Sequence, residues 1–365
     1  MQINKKRTVL IFGGAGFVGS NLAHRFLAQG ARVHVFDNLS RQGSHYNIEW
    51  LKNSAHYGGQ LELTIGDIRN RRLVEKAVSS ADDIFHFAAQ VAVTTSLHDP
   101  RLDFEVNVEG TFNILDAARK SRRKPFLLYT STNKVYGDLG LGRPKQLETR
   151  FSHPNHVGIS ESQPLDFHSP YGCSKGAADQ YVRDFGRIYG FPVVVFRMSC
   201  IAGPRQFGTE DQGWVAHFLY SALQCKPVTI YGDGRQVRDV LCVQDLIRAM
   251  QAVQQNFPET AGQIYNIGGG PANTTSLLEL MESIRKLTGI RMNYDLDETR
   301  PGDQQVYITD HSKLTNHTGW KPQISIEQTL KLLQEFWHEN QRATTASLAY
   351  SGSSWSEVQA LERAS

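Results

Sequence analysis

A glycine-rich turn near the start of the chain, Gly13-Gly14-Ala15-Gly16-Phe17-Val18-Gly19, limits what this chain can fold into. It follows the apolar run Thr8 to Phe12 and opens a segment with helical patterning, Val18 to Gln29. A strand, a turn with almost no side chains and a helix start bring backbone N–H groups and the positive end of a helix dipole to one place, where a pyrophosphate can sit. Such glycines in isolation make an ordinary tight turn. The strand before and the helix after make this a dinucleotide site, with Gly13, Gly16, Phe17, Val18 and Gly19 as its contacts.

The rest of the N-terminal half repeats the same alternation. Short β-branched or aromatic runs recur at Arg32 to Phe36, Leu61 to Ile65, Ile84 to Phe87, Phe126 to Thr130 and Val193 to Arg197. Helix-patterned segments, notably Val108 to Lys120 and Tyr171 to Tyr189, separate most of them. Continuously apolar strands between helices predict a doubly wound α/β fold with a parallel Rossmann sheet covered on both faces. After about Ala202 the rhythm is broken by Gly203-Pro204-Arg205, Gly232-Asp233-Gly234 and Gly268-Gly269-Gly270, which mark turns between short elements. We therefore expect a dinucleotide-binding domain over residues 1–200 and a smaller C-terminal lobe over 201–341 that can interleave with it. A loose tail rich in Ser, Ala and Thr is expected over 342–365, with one short helix around Glu357 to Arg363.

Composition excludes several classes of partner. With 40% hydrophobic and 21% charged residues, the 365-residue chain is ordinary for a soluble globular protein. A formal charge of +3 is too small and dispersed for a nucleic-acid partner, and the basic run Lys120 to Lys124 reads as an exposed helix end. Cys173, Cys200, Cys225 and Cys242 are far apart and lack metal-ligand or framework spacing, so reduced thiols and a cytoplasmic location are expected. His86 reads as a strand-end histidine and the pair His153 and His156 has no third partner, so no metal is expected. Lys5, Lys6 and Arg7 before Val9 imitate a signal peptide, but the apolar run stops in glycines and reads as a buried strand. No stretch approaches the roughly 20 apolar residues that span a bilayer, so no membrane association is expected.

Asp37, with Asn38 after it, ends the second strand, where a carboxylate accepts both adenosine ribose hydroxyls and repels a 2′-phosphate; NAD is the expected cofactor. Arg41 lies close enough to receive that phosphate, or is a solvated loop charge. Asp67, followed by Ile68, either receives the adenine amino group or caps the next helix. The chemistry sits further on. Tyr171 and Lys175, four residues apart on one helical face, let an ammonium lie beside a phenol and favour its ionised form, which makes Tyr171 a base. Thr132, at the end of the strand in Tyr-Thr-Ser-Thr-Asn-Lys-Val-Tyr-Gly, shares the substrate hydroxyl proton with Tyr171, and Lys175 also holds the nicotinamide ribose. Asn107 starts a helix and reads as an N-cap with a role at the site.

In this set of features the chain resembles the extended short-chain dehydrogenase/reductase family of nucleotide-sugar enzymes. The matching residues are the glycine loop, Asp37, Asp67, the Ala88-Ala89 loop, Asn107, Thr132, Tyr171 with Lys175, Arg197, Gly203-Pro204, Arg238-Asp239 and Arg300-Pro301-Gly302-Asp303; they cover the chain to about residue 335. The resemblance implies a substrate-binding C-terminal lobe and a nucleotide-sugar substrate whose diphosphate is held by Arg238 and Arg300. Thr132, Asn133 and Arg205 complete the implied substrate side, Ala88 joins the implied cofactor contacts, and homo-oligomers are common in the family. Dehydratases of this family carry Asp-Glu after the threonine. Here Asn133 and Lys134 stand instead, and neither is a carboxylate base, so oxidation without elimination is expected. Cys200 replaces an asparagine that contacts the sugar nucleotide in many relatives, which speaks against the common 4-epimerase pocket.

The stretches Phe36 to Arg41, Ser131 to Asp138, Asp166 to Tyr181, Arg205 to Trp214 and Gly234 to Leu241 are similar to those of family members that invert C2 of a CDP-linked deoxyhexose, paratose to tyvelose, through a 2-keto sugar. A 4-epimerase of the UDP-glucose or UDP-glucuronate type is the alternative, and a NAD-sensing scaffold the non-enzymatic one. The long segment Leu139 to His168 either covers the sugar or is an ordered surface insertion.

Overall fold

The structure, a computed structural model, describes residues 7–54, 59–154, 157–300 and 302–351. Lys5, Lys6, His156, Pro301 and the expected helix at Glu357 to Arg363 lie outside the described residues. Seven strands form a single parallel sheet: β1 (Thr8–Phe12), β2 (Arg32–Asp37), β3 (Gln60–Ile65), β4 (Asp83–His86), β5 (Phe126–Thr132), β6 (Val193–Met198) and β7 (Gln263–Ile267). Their order across the sheet is β7-β6-β5-β4-β1-β2-β3. Successive side chains point to opposite faces, and each face has its own core. Ile11, Phe85, Leu128 and Phe196 meet Leu22, Phe26 and Met250 on one side. Leu10, Ile84, Leu127 and Val193 meet Val74, Ile114, Leu115 and Val182 on the other.

Two features of this sheet position the site. β5 runs to Thr132, past the apolar run, because Ser131 and Thr132 stay in register with Arg197 and Met198 of β6. The sheet therefore delivers Thr132 at its carboxyl edge. β7 comes from far along the chain and pairs in parallel with β6, Ile264 opposite Val195 and Ile267 opposite Met198. Residues after 201 are thus woven into the first layer as well as forming a second lobe.

That lobe carries a small sheet built from Cys200–Ala202, Val237–Cys242, Thr274–Ser276 and Val306–Tyr307. Its core contains Leu219, Ile230, Leu280, Ile284 and Leu333. The last helix, Ile326–Ser351, continues beyond residue 342, where a loose tail is expected from composition. Between residues 139 and 168, the described residues form an insertion that docks on the second lobe: Phe151 N–H donates to Arg235 O at 2.8 Å, and Ser276 Oγ donates to Thr149 O at 2.6 Å. No helix among the described residues is long and apolar enough to cross a membrane.

Candidate active site

A cleft of about 550 Å³ opens at the carboxyl edges of β1, β2, β4 and β5. On one wall the glycine turn leaves β1 with Gly13 at φ +76°, and a Cβ there would lie 2.6 Å from Ala88 N. A Cβ at Gly19 would lie 2.2 Å from Gly13 O, so the helix can approach the turn only without a side chain at that position. Helix Phe17–Ala28 begins at Gly16 with no side-chain cap and no acid in its first turn, which leaves its leading N–H groups to an external anion. Gly13, Gly16, Phe17, Val18 and Gly19 all line the cleft.

Asp37, Asn38, Asp67, Ile68 and Ala88 line it too. Asp37 is buried and accepts from Ala15 N–H at 2.9 Å and Leu39 N–H at 2.8 Å. Burial pushes its carboxyl above the usual range, and these backbone donors oppose that shift. Asp67 does not cap the next helix. That helix starts at Arg71 with Asn70 as its cap, while the Asp67 carboxylate is gripped by Arg69, Nη2 to Oδ2 at 2.9 Å, and held below its usual range. A cradle of glycines, an uncapped helix end and a carboxylate at the end of β2 together fit a dinucleotide.

Asn107 corrects the sequence-based expectation. It lies inside a continuous helical stretch from Pro100 to Lys120, within a π-helical turn at Glu105–Glu109, so it caps nothing. Its buried amide instead clamps the loop after β4: Oδ1 accepts from Gln90 N–H at 2.9 Å, and Nδ2 donates to Gln90 O at 3.0 Å and to Ser174 Oγ at 3.0 Å. The clamp joins the cofactor wall to the helix Ser169–Tyr189 that carries Tyr171 and Lys175.

Tyr171 is buried, and the Thr132 hydroxyl near its phenol favours the ionised form while burial opposes it more strongly. Lys134 N–H donates to Thr132 Oγ1 at 3.2 Å. Lys175 is buried as well, and its ammonium is spent differently from the expected pairing: Nζ donates to Thr130 O at 2.6 Å and lies 4.3 Å from the centre of the Tyr129 ring. Burial drives the two groups apart, Tyr171 up to about 12 and Lys175 down to about 7, with Asp179 and Asp103 opposing the fall at Lys175. The outside cation that lowers Tyr171 is Arg41, which lines the cleft and also faces Asp211. Arg41 is thus a cleft residue, and sequence spacing does not reveal its proximity to Tyr171. His86 is a satisfied buried histidine, Nε2 against Thr111 Oγ1 at 2.9 Å, its pKa pushed down to about 3 by burial and by Lys175.

The expected substrate residues divide into three groups. Asn133 and Arg238 come together around the stretch after Gly302: Asn133 Nδ2 donates to Gln304 Oε1 at 3.2 Å, and Arg238 Nη2 meets Asp303 Oδ1 at 2.6 Å. Arg300 lies over the Tyr231 ring at 3.8 Å, beside Asp211 at 3.5 Å. Arg205 lines the cleft from further off, its guanidinium sandwiched between the Trp50 ring at 4.2 Å and the Phe336 ring at 5.1 Å. Its charge is used to bridge the two lobes. Cys200 Sγ accepts from Trp214 Nε1 at 3.3 Å, a contact that leaves no amide for a sugar nucleotide.

A family profile described as GDP-mannose 4,6 dehydratase matches residues 10–333. The CDP-paratose 2-epimerase of Salmonella typhi is 44% identical over 90% of this chain and 98% of its own length. The chain belongs to the extended short-chain dehydrogenase/reductase family. Two solved members of this family superpose closely. The UDP-glucose 4-epimerase of Thermus thermophilus, in complex with NAD, gives a TM-score of 0.75 at 30% identity, covering 90% of this chain and 98% of that one. The dTDP-glucose 4,6-dehydratase of Streptomyces venezuelae, with NAD bound, gives 0.78 at 28% identity, covering 91% and 97%. Against this extended short-chain dehydrogenase/reductase background, Gln90, Ser174 and Gln304 are site residues that sequence reasoning missed. Each acts through a partner distant in the chain, and only the fold joins them.

Proposed function

We propose that the protein is a NAD-dependent nucleotide-sugar epimerase that inverts C2 of a CDP-linked deoxyhexose, CDP-paratose to CDP-tyvelose. The observation that carries this reading is the end-to-end likeness to the Salmonella typhi CDP-paratose 2-epimerase. Gly13, Gly16, Phe17, Val18, Gly19, Asp37, Asn38, Asp67, Ile68 and Ala88 are the residues that would hold NAD, and Asp37 favours it over NADP. Lys175 would hold the nicotinamide ribose, with Asn107 fixing the loop beside it. Bound NAD supplies the acceptor, and afterwards the donor, of the hydride.

The chain's own residues handle the proton and the sugar. In its ionised form Tyr171 takes the proton of the C2 hydroxyl, Thr132 shares it, and the same pair returns it after the 2-keto sugar has turned over. Thr132 is fixed for this by the β5–β6 register and by Lys134 N–H. Asn133 and Lys134 place no carboxylate beside the sugar, which supports oxidation without loss of water. Arg238 and Arg300 hold the diphosphate. We place the enzyme in the cytoplasm, as a soluble homo-oligomer without nucleic-acid or membrane partners. Incubation with CDP-paratose, followed by NMR, should give a product inverted at C2 and no 4-keto-6-deoxy sugar. Inversion of UDP-glucose at C4 with CDP-paratose untouched would overturn the assignment.

A further inference from the structure

Lys134 and Asp303 form a charged pair whose side chains the reaction above leaves unused. Lys134 Nζ lies 3.1 Å from Asp303 Oδ1 and donates to Gly302 O at 3.2 Å. The same Asp303 oxygen receives Arg238 Nη2 at 2.6 Å. One carboxylate therefore serves two cations and leaves the group with one net positive charge. The cations come from different elements: Lys134 from the turn that follows β5, Arg238 from the strand Val237–Cys242 of the second lobe. Arg238 is 8% exposed and Asp303 27%, so the carboxylate is the member nearer solvent. It also follows Gly302, whose φ of +70° lies in the left-handed region that glycine adopts without strain.

We propose that Lys134 is a substrate-binding residue: with Arg238 it forms a two-cation seat for the diphosphate of the nucleotide sugar, and Asp303 is the internal counter-ion that the diphosphate displaces. The inference rests on the nucleotide-sugar reading but not on which carbon is inverted. Its chemistry follows from charge balance. A nucleoside diphosphate sugar brings about two negative charges, which match Lys134 and Arg238 once Asp303 has swung away, while Arg300 keeps Asp211 as its own counter-ion at 3.5 Å. Burial lowers the Lys134 pKa while Asp303 opposes that fall, and a diphosphate in the seat would oppose it further. The seat also couples to the catalytic group. Lys134 N–H holds Thr132 Oγ1 at 3.2 Å, so the residue that anchors the diphosphate also fixes the hydroxyl that meets Tyr171.

Titration calorimetry with CDP and UDP, and with cytidine as a ligand lacking phosphate, tests this without turnover. Lys134→Met should weaken both diphosphates by roughly tenfold and leave cytidine unchanged, while Lys134→Arg should stay within roughly threefold of wild type. Asp303→Asn, which removes the competing carboxylate, should bind CDP several-fold more tightly. A purely structural Asp303 would give weaker binding instead. Unchanged CDP affinity in Lys134→Met, or weakened affinity in Asp303→Asn, overturns the proposal; circular dichroism reports folding, and Asp303→Asn decides alone if the lysine variant does not fold. A wild type that binds neither CDP nor UDP sinks the nucleotide-sugar reading and this inference with it.

Discussion

Tyr171 and Lys175 show how burial, rather than spacing, sets the working charge of a site. The i and i+4 spacing puts both on one face of helix Ser169–Tyr189, and that much is legible in the sequence. What the ammonium touches is not. Nζ is taken by Thr130 O and the Tyr129 ring, and Arg41, from the loop after β2, lines the same cleft as the phenol and acts on it through space. Tyr171→Phe should cut turnover by roughly 10³-fold with the fold intact, as measured by steady-state rates beside a thermal melt. Lys175 gives a second expectation. Its folded pKa, about 7, is depressed from 10.5, so between those values the unfolded chain binds more protons and stability rises with pH. Each pH unit in that window adds up to about 1.4 kcal/mol. Urea midpoints from pH 7 to 10 should climb in wild type and climb less in Lys175→Met; equal slopes would show that Lys175 does not titrate this way.

At the scale of elements, the apolar runs suffice to place the first six strands of the sheet: five are buried on both faces and need no alternation to be recognised, while the edge strand β3 alternates, Leu61 and Leu63 on the core with Gln60 and Glu62 exposed. Asn107 is legible as a site residue but not in its role. A helix start suggests a cap, whereas the π-helical turn aims the amide at Gln90, and such a turn has no short-range sequence signature. Asn107→Ala removes the partner of the half-buried N–H and C=O of Gln90 and should cost about 1 kcal/mol in chemical denaturation. The glycine turn makes a sharper demand. Gly19→Ala puts a methyl 2.2 Å from Gly13 O, and either the turn or the helix must shift. Cofactor affinity measured by fluorescence titration should fall at least tenfold; affinity equal to wild type would mean the close approach is dispensable.

Over the whole molecule, the two lobes are joined by strand pairing and by side chains from distant segments. β7 returns to the main sheet, and Arg205 lies between Trp50 and Phe336, so the lobe that carries Arg238 and Arg300 is held against the lobe that carries Thr132 and Tyr171. Neither link shows in local patterning, since each depends on residues far apart in the chain. Arg205→Ala should lower stability by about 1–2 kcal/mol and raise KM more than it lowers kcat. The central claim is that one nucleotide sugar is oxidised and reduced again at C2 within a single closed site. It is tested most directly by CDP-paratose carrying deuterium at C2. The account predicts CDP-tyvelose with the deuterium still at an inverted C2 and no net consumption of added NAD; loss of the label to solvent, or inversion at C4 alone, would contradict it.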